Sequence, residues 1–205
     1  MLTPPPFRGS RTSTRLELRS LERGDQVALH SYRSLDEVCR YIYSEPLTLD
    51  EVATRLEGPW STSHVEAPGQ GLTLGVQRRV EGDLVGDVLL QWVSDRDRSG
   101  EIGWVFSPAV RGRGYATEAA HRLLHVAFDE WALHRVVARV DARNEASLRL
   151  CERLGLREEA RLLDNEWFKG SWSSEVDFAL LDEEWREWHR RSDVDRVACP
   201  PPEPS

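Results

Sequence analysis

One stretch constrains the fold of this chain more than any other. It runs from Val105 to Ala120 and has the sequence VFSPAVRGRGYATEAA. Gly112 and Gly114 allow the main chain to turn tightly and to approach a bound molecule closely. Unpaired amides at the start of a helix favour an anionic group. The stretch therefore predicts an apolar strand, an anion-binding loop and an amphipathic helix, in that order.

The remaining residues predict one mixed α/β domain around this stretch. Period-two alternation predicts strands, and apolar residues at helical spacing predict helices. The predicted strands are residues 16–18, 72–76, 84–92, 101–106, 135–140, 166–170 and 175–181, of which the second to fourth form an antiparallel meander and the last two a closing hairpin. The predicted helices are residues 21–33, two short helices beginning after residues 34 and 48, and residues 116–128, 145–154 and 182–191.

Helix-start and helix-stop signals support these bounds. The segments that begin at Ser34 and at Thr48 both fit a capping box, in which a hydroxyl and a carboxylate three residues later satisfy helix amides. Asn144 is expected to cap the helix that follows it, and Gly155 stands where a glycine commonly ends one. We expect the domain to span residues 14–191, between a flexible leader (1–13) and a disordered, proline-rich tail (192–205).

Charge and cysteine usage narrow the class of protein. The net charge of −8 argues against nucleic acid as the main partner, and it is compatible with a cationic substrate or with simple solubility. No apolar run approaches the roughly 20 residues of a membrane span. Cys39, Cys151 and Cys199 lack metal-ligand spacing, and an odd number argues against a disulfide framework. We therefore expect a cytoplasmic protein with free thiols, no bound metal and no membrane contact.

The spacing Arg111-x-x-Gly114-x-Ala116 resembles the pyrophosphate-binding signature of the GCN5-related N-acetyltransferases, the GNAT family. That family has Gln or Arg, then Gly, then Gly or Ala at these positions. The resemblance covers nearly the whole domain and is closest to the branch that acetylates ribosomal-protein N-termini, together with its small-molecule relatives. It implies an acetyl-CoA-dependent N-acetyltransferase with a central, mostly antiparallel twisted sheet, one splayed pair of strands and flanking helices. Acetyl-CoA is the cosubstrate.

The resemblance also implies cofactor-binding residues in three places. In the loop they are Arg111, Gly112, Arg113, Gly114, Tyr115 and Ala116, where amides and two guanidinium groups would hold the pyrophosphate. On the strand before the loop they are Trp104, Val105 and Phe106, whose backbone would pair with the pantetheine arm; the same residues would also suit a plain core strand. Asn144 would touch the pantetheine, and Ser147 would face the cofactor or its thiol, unless Asn144 is only a helix cap and Ser147 incidental.

Two residues are candidates for acid–base catalysis. Acetyl transfer needs an uncharged amine, and a lysine-type amine is neutral in only about 1 molecule in 10³ at pH 7. Glu101 stands where some family members keep a glutamate base, although it also suits a structural carboxylate. Cys151 departs from the tyrosine acid of several relatives and fits a small core residue instead. The proton donor to the leaving thiolate is then Ser147 or water, unless none is needed.

The hypothesis is direct attack of a bound amine on acetyl-CoA, without an acyl-enzyme. The first expectation for the acceptor is a protein N-terminal α-amine, followed closely by a small-molecule amine. The acceptor is expected to enter between the short helices of residues 34–57 and the closing hairpin. The resemblance also implies a homodimer, because relatives are often dimers. The alternative is a non-catalytic acyl-CoA-binding sensor or scaffold, which turnover on a panel of amines would exclude.

Overall fold

The computed structural model describes residues 4–187, and the predicted tail lies outside them. Eight strands form one sheet with the order β1-β2-β3-β4-β5-β6-β8-β7. Their bounds are β1 Ser10–Thr12, β2 Leu16–Ser20, β3 Gly71–Arg78, β4 Leu84–Ser94, β5 Ser99–Phe106, β6 Arg135–Asp141, β7 Arg157–Phe168 and β8 Ser171–Leu181. All neighbouring strands are antiparallel except β5 and β6. The predicted fold class and the meander β3–β4–β5 are confirmed.

The parallel pair β5–β6 splays soon after it begins. Ser99, Gly100 and Glu101 pair with residues 135–137, and the pairing stops there. β5 nevertheless continues to Phe106, still paired with β4 on its other edge. The backbone of β5 beyond Glu101 therefore has one edge free of strand partners, as the splayed pair predicts.

Within the described residues, five complete α-helices flank the sheet. Their bounds are α1 Gln26–Arg33, α2 Asp36–Cys39, α3 Leu49–Leu56, α4 Tyr115–His125 and α5 Glu145–Arg153. A π-helical turn, Val126–Glu130, extends α4. Residues 182–187 are helical, and the rest of the predicted last helix lies outside the described residues.

The helix ends follow most of the sequence signals. The Thr48 capping box is present, because its Oγ1 accepts from the Glu51 amide while the Glu51 carboxylate binds the Thr48 amide. Asn144 Oδ1 accepts from the Ser147 amide at the start of α5, and Gly155 has a φ of +78° just after its end. The prediction of a capping box at Ser34 is wrong: α2 begins after Leu35 without a side-chain cap. Ser34 instead ends α1, where its backbone N–H donates a hydrogen bond to the His30 carbonyl.

Near both ends of the domain, the sheet includes residues that were not predicted to be strands. Instead of a flexible leader over all of residues 1–13, residues 10–12 form β1 against β2. Phe7 is buried in the main core, and Arg11 is bonded to Glu130. In the closing hairpin, β7 begins at Arg157 rather than at residue 166, and Lys169 and Gly170 turn the chain with φ values of +48° and +81°.

The core lies in two parts on either side of the sheet. The larger packs α4 and α5 on the central strands, and the smaller lies under α1 and α3 around Tyr32 and Trp60. Arg33 forms a buried ion pair with Asp87 on β4, and the Tyr32 hydroxyl donates to the same carboxylate at 2.7 Å. Because Asp87 pairs with Val105 in the sheet, this network fixes α1 against the back of the splayed strand.

Candidate active site

A cleft of about 650 Å³ lies where β5 parts from β6. It is bounded by the C-terminal half of β5, the glycine loop, the start of α4, the start of α5 and the α2 segment. The predicted site residues on its wall are Trp104, Val105, Phe106, Arg111, Gly112, Gly114, Tyr115, Ala116, Asn144 and Ser147. Arg113 and Glu101 are not on this wall. The topology thus brings together the three segments that carry the predicted residues, 104–106, 111–116 and 144–147, which lie up to about forty positions apart in the chain.

The glycine loop leads into α4 through two left-handed residues. Gly112 and Gly114 both have a φ of +76°, and Gly114 is the residue that precedes the helix. A residue with a Cβ costs ~1–2 kcal/mol in this conformation. The turn leaves the first amides of α4 without intrahelical partners, so the partial positive charge of the helix start faces the cleft. The loop can therefore hold a phosphate group.

Trp104 and Ser147 bridge the splay from its two sides. The Trp104 indole Nε1 on β5 donates to the Ser147 Oγ on α5 at 3.1 Å. Because the indole donor occupies a lone pair of the hydroxyl, the Ser147 proton is left free to point elsewhere. The sequence predicted both residues as cofactor neighbours but contained no signal that they contact each other.

Cys151 lies one turn further along α5 and is fully buried in the main core. Burial raises the pKa of its thiol to about 12, so the group stays protonated and apolar in character. The prediction that Cys151 is a core residue rather than an equivalent of the tyrosine acid agrees with this placement.

The structure adds cleft residues that the sequence did not indicate. Val38 and Tyr41 close the cleft from the α2 segment, and Arg153 closes it from the end of α5. The Arg153 Nε donates to Thr117 Oγ1 at 3.3 Å. Arg153 therefore adds a further guanidinium near the start of α4. It lies at the end of another helix, about forty positions along the chain from the loop, so no local pattern could indicate it.

Glu101 lies at the vertex of the splay, where β5 and β6 last pair. It forms an ion pair with Arg139, whose Nε is also 3.8 Å from Asp177 Oδ1. Burial raises the pKa of Glu101, Arg139 counteracts that effect, and the Asp177 charge adds to it. A carboxyl with a raised pKa is better matched to proton transfer near neutral pH than an ordinary one.

A small acid-lined pocket of about 40 Å³ lies next to this vertex, with Arg139 on its wall and Glu101 outside it. Its wall comprises Tyr41, Tyr43, Arg139, Asp141, Asn165, Glu166, Phe168, Ser173, Ser174 and Glu175. The Tyr43 hydroxyl donates to Glu166 Oε2 at 2.7 Å. Burial raises the pKa of Glu175, and the neighbouring Asp177 charge raises it further. Arg139 on the same wall partly offsets these effects, and a cation that entered beside Glu175 would offset them further.

Tyr41 belongs to the walls of both the cofactor cleft and the acid-lined pocket. The two cavities are therefore neighbours that share one aromatic side chain at the splay. Among residues 4–187, no three potential ligands cluster in a way that could hold a metal ion, and no helix is long and apolar enough to cross a membrane.

Comparison with known proteins identifies the family. Residues 15–157, more than half of the chain, match the acetyltransferase (GNAT) domain. The chain is 30% identical to the uncharacterized N-acetyltransferase YnaD of Bacillus subtilis over 174 residues, which cover 85% of this chain and 98% of that protein. It is 27% identical to a spermidine N(1)-acetyltransferase of Vibrio cholerae, covering 77% of this chain and 88% of that protein.

The crystal structure of a GNAT-family acetyltransferase from Bacillus anthracis has the same fold. Its TM-score is 0.77 at 29% identity, over 86% of this chain and all of the other. The family resemblance, the fold and the enzyme class predicted from the glycine loop are thus confirmed. The chain belongs to the GNAT acetyltransferases, the enzymes that transfer acetyl from acetyl-CoA to an amine.

Proposed function

We propose that this enzyme acetylates a small cationic amine by direct attack on acetyl-CoA in a ternary complex. The observation that carries the proposal is the acid-lined pocket that shares Tyr41 with the cofactor cleft at the splay. The similarity to a spermidine N(1)-acetyltransferase supports a polyamine-like acceptor. A protein N-terminal amine, the first expectation from the sequence, becomes an outcome of the test.

The cofactor would lie along the cleft with its pyrophosphate at the glycine loop. The amides after Gly114, the helix dipole and the guanidinium groups of Arg111 and Arg153 supply the positive environment that the phosphates need. Arg113 is off the cleft wall, and only its charge would contribute. The pantetheine amides would pair with the free edge of β5 between Glu101 and Phe106.

Glu101 would act as the general base, directly or through a water molecule. The acceptor arrives as an ammonium ion, and its neutral form attacks the thioester carbonyl. One ammonium proton passes to Glu101 before the attack; an N–C bond then forms, the C–S bond breaks, and the nitrogen loses its second proton to water as the amide forms. The raised pKa of Glu101 favours this transfer, although its ion pair with Arg139 limits the effect.

Ser147 would donate its hydroxyl proton to the departing thiolate and take one back from the water that received the second amine proton. Its hydroxyl accepts from the Trp104 indole, which leaves the hydroxyl proton free for the sulfur. A thiolate is a fair leaving group without assistance, so this step contributes less than orientation does. Holding the amine and the thioester in line can supply roughly 7–11 kcal/mol of the barrier reduction.

The acceptor is tested by following CoA release from acetyl-CoA with spermidine, other di- and triamines, and peptides with free N-termini. We expect kcat/KM for a polycationic amine to exceed that for the peptides at least tenfold. Glu166→Gln with Glu175→Gln should raise the KM for the amine about tenfold and leave the KM for acetyl-CoA unchanged. Glu158→Gln, on β7 but outside the pocket, is the matched control. Turnover of peptides alone would overturn the acceptor assignment.

Two finer expectations accompany the proposal. A cytoplasmic location is supported by the free thiols of Cys39 and Cys151. A homodimer, which the family resemblance implies, stays a prediction that sedimentation analysis would check.

A further inference from the structure

The segment just before β2 contacts the first turn of α4 through one carboxylate. Glu118 Oε1 accepts from the Arg15 amide at 2.8 Å and from the Ser13 hydroxyl at 2.7 Å. Its other oxygen accepts from Arg15 Nε at 2.7 Å. Neither Ser13 nor Arg15 is on the wall of the cofactor cleft. This cluster therefore supports the loop from outside the cleft.

Arg15 also contacts two residues of the glycine loop, Arg113 and Tyr115, which stand on either side of Gly114. Its Nη1 donates to the Arg113 carbonyl at 2.9 Å. Its guanidinium carbon lies 4.6 Å from the centre of the Tyr115 ring, which is on the cleft wall. A Cβ built on Gly114 would come within 3.5 Å of Arg15 Nη2. The guanidinium thus braces the turn that aims the first α4 amides.

The charge of Glu118 makes this contact matter for an anionic ligand. A carboxylate in the first turn of a helix is stabilised by the helix dipole, but it repels a second anion bound at the same amides. Burial alone would raise the pKa of Glu118, but its hydrogen bonds with Ser13 and Arg15 outweigh that effect and lower the pKa. The carboxylate is therefore ionised, and Arg15 neutralises it.

We propose that Arg15 is a positioning residue for cofactor binding. It fixes the Arg113 carbonyl and neutralises Glu118, so that the amides after Gly114 bind the pyrophosphate of CoA. This inference rests on the proposed function, because it takes the glycine loop as the pyrophosphate site.

The chain contains a matched control for this role. Arg11, four residues earlier, forms the same kind of two-bond ion pair with Glu130, at 2.5 Å and 2.6 Å. Glu130 ends the π-helical turn that extends α4, so Arg11 ties the same N-terminal segment to the opposite end of that helix. Arg11→Ala removes a comparable contact without touching the loop.

The test is the Kd for CoA, measured by calorimetry, in wild type, Arg15→Ala, Arg15→Lys, Glu118→Gln and Arg11→Ala. Arg15→Ala should raise the Kd at least tenfold, and Arg15→Lys should raise it less because the charge remains. Glu118→Gln should change it less than threefold. Arg11→Ala should lower the thermal midpoint with an unchanged Kd. The KM for acetyl-CoA should follow the Kd, whereas the KM for the amine should not.

The double variant Arg15→Ala with Glu118→Gln separates this role from a purely structural one. Removing the unneutralised carboxylate should restore CoA binding at least threefold relative to Arg15→Ala alone. The inference is overturned if the double variant binds no better, if Arg15→Ala binds within twofold of wild type, or if Arg11→Ala weakens binding equally. Failure of the wild type to bind CoA would instead contradict the proposed function itself.

Discussion

Gly114 forms the turn into α4, and its substitution tests the cofactor loop most directly. Its φ of +76° costs a residue with a Cβ ~1–2 kcal/mol. An added Cβ would meet only the end of the Arg15 side chain, at 3.5 Å, so Gly114→Ala introduces strain without a backbone collision. Residues 111–114 are all exposed, so apart from the Arg15 contact to the Arg113 carbonyl little packing holds this backbone in place in the free protein.

We expect this strain to weaken CoA binding more than folding. The free loop of Gly114→Ala can rotate out of the left-handed region, whereas the bound loop must keep its amides on the pyrophosphate. A penalty of ~1–2 kcal/mol in the bound state alone raises the Kd about 5- to 30-fold, since 1.4 kcal/mol corresponds to tenfold. Calorimetric titration with CoA measures this change directly.

Gly170 is the matched control. Its φ is +81°, no atom lies within 4 Å of an added Cβ, and it turns the β7–β8 hairpin away from the loop. Gly170→Ala should lower the thermal midpoint by about 2–8 °C, at ~2–4 °C per kcal/mol, with an unchanged Kd for CoA. Wild-type affinity in Gly114→Ala, or equal weakening in Gly170→Ala, would refute the reasoning.

Three further predictions concern ionisable groups. If Glu101 is the base, activity falls as pH drops through its raised pKa, and Glu101→Gln abolishes that acid limb of the pH–rate profile; an unchanged profile excludes the role. Asp87→Asn leaves Arg33 buried and uncompensated, which should cost ~3–5 kcal/mol in urea unfolding, whereas Asp87→Leu with Arg33→Met should recover most of it. The folded Cys151 thiol, with a pKa of about 12, keeps its proton while the unfolded thiol loses it near ~8.5. The free energy of unfolding should therefore fall as the pH rises from ~8.5 to about 12. It should fall less steeply in Cys151→Ala, which has no thiol at this position.

Local patterns predicted the fold where apolar residues recur at a regular spacing. Leu72, Leu74 and Val76 alternate along β3, although both faces of this strand are buried between the two parts of the core, and α4 carries an apolar stripe that packs on the larger part. β7 was predicted too short because it is an edge strand whose residues are nearly all exposed, which removes the alternation. β1 is too short to show any period, and its place is fixed by the distant Glu130.

The residues of the site were likewise predictable only where the signal is local in the sequence. The glycine loop was predictable because its parts follow one another directly in the chain. An apolar strand, two glycines and an amphipathic helix occur in this order, and both glycines have the left-handed backbone that such a turn needs. Tyr41 and Arg153 were not, since their roles depend on how α2 and α5 close over the splay. The contact between Arg15 and the loop joins residues about a hundred positions apart, and only the folded sheet brings them together.

The shortness of the β5–β6 ladder has a mechanical consequence. Three backbone pairs join the half-sheet β1–β5 to the half-sheet β6–β8–β7, whereas every other neighbouring pair except the short β1–β2 ladder has five or more. The main core packs against strands of both half-sheets, so the parting of β5 from β6 interrupts the backbone ladder and not the core. A ligand bonded to β5 and touching Ser147 would take the place of the missing ladder and join the two half-sheets across the gap.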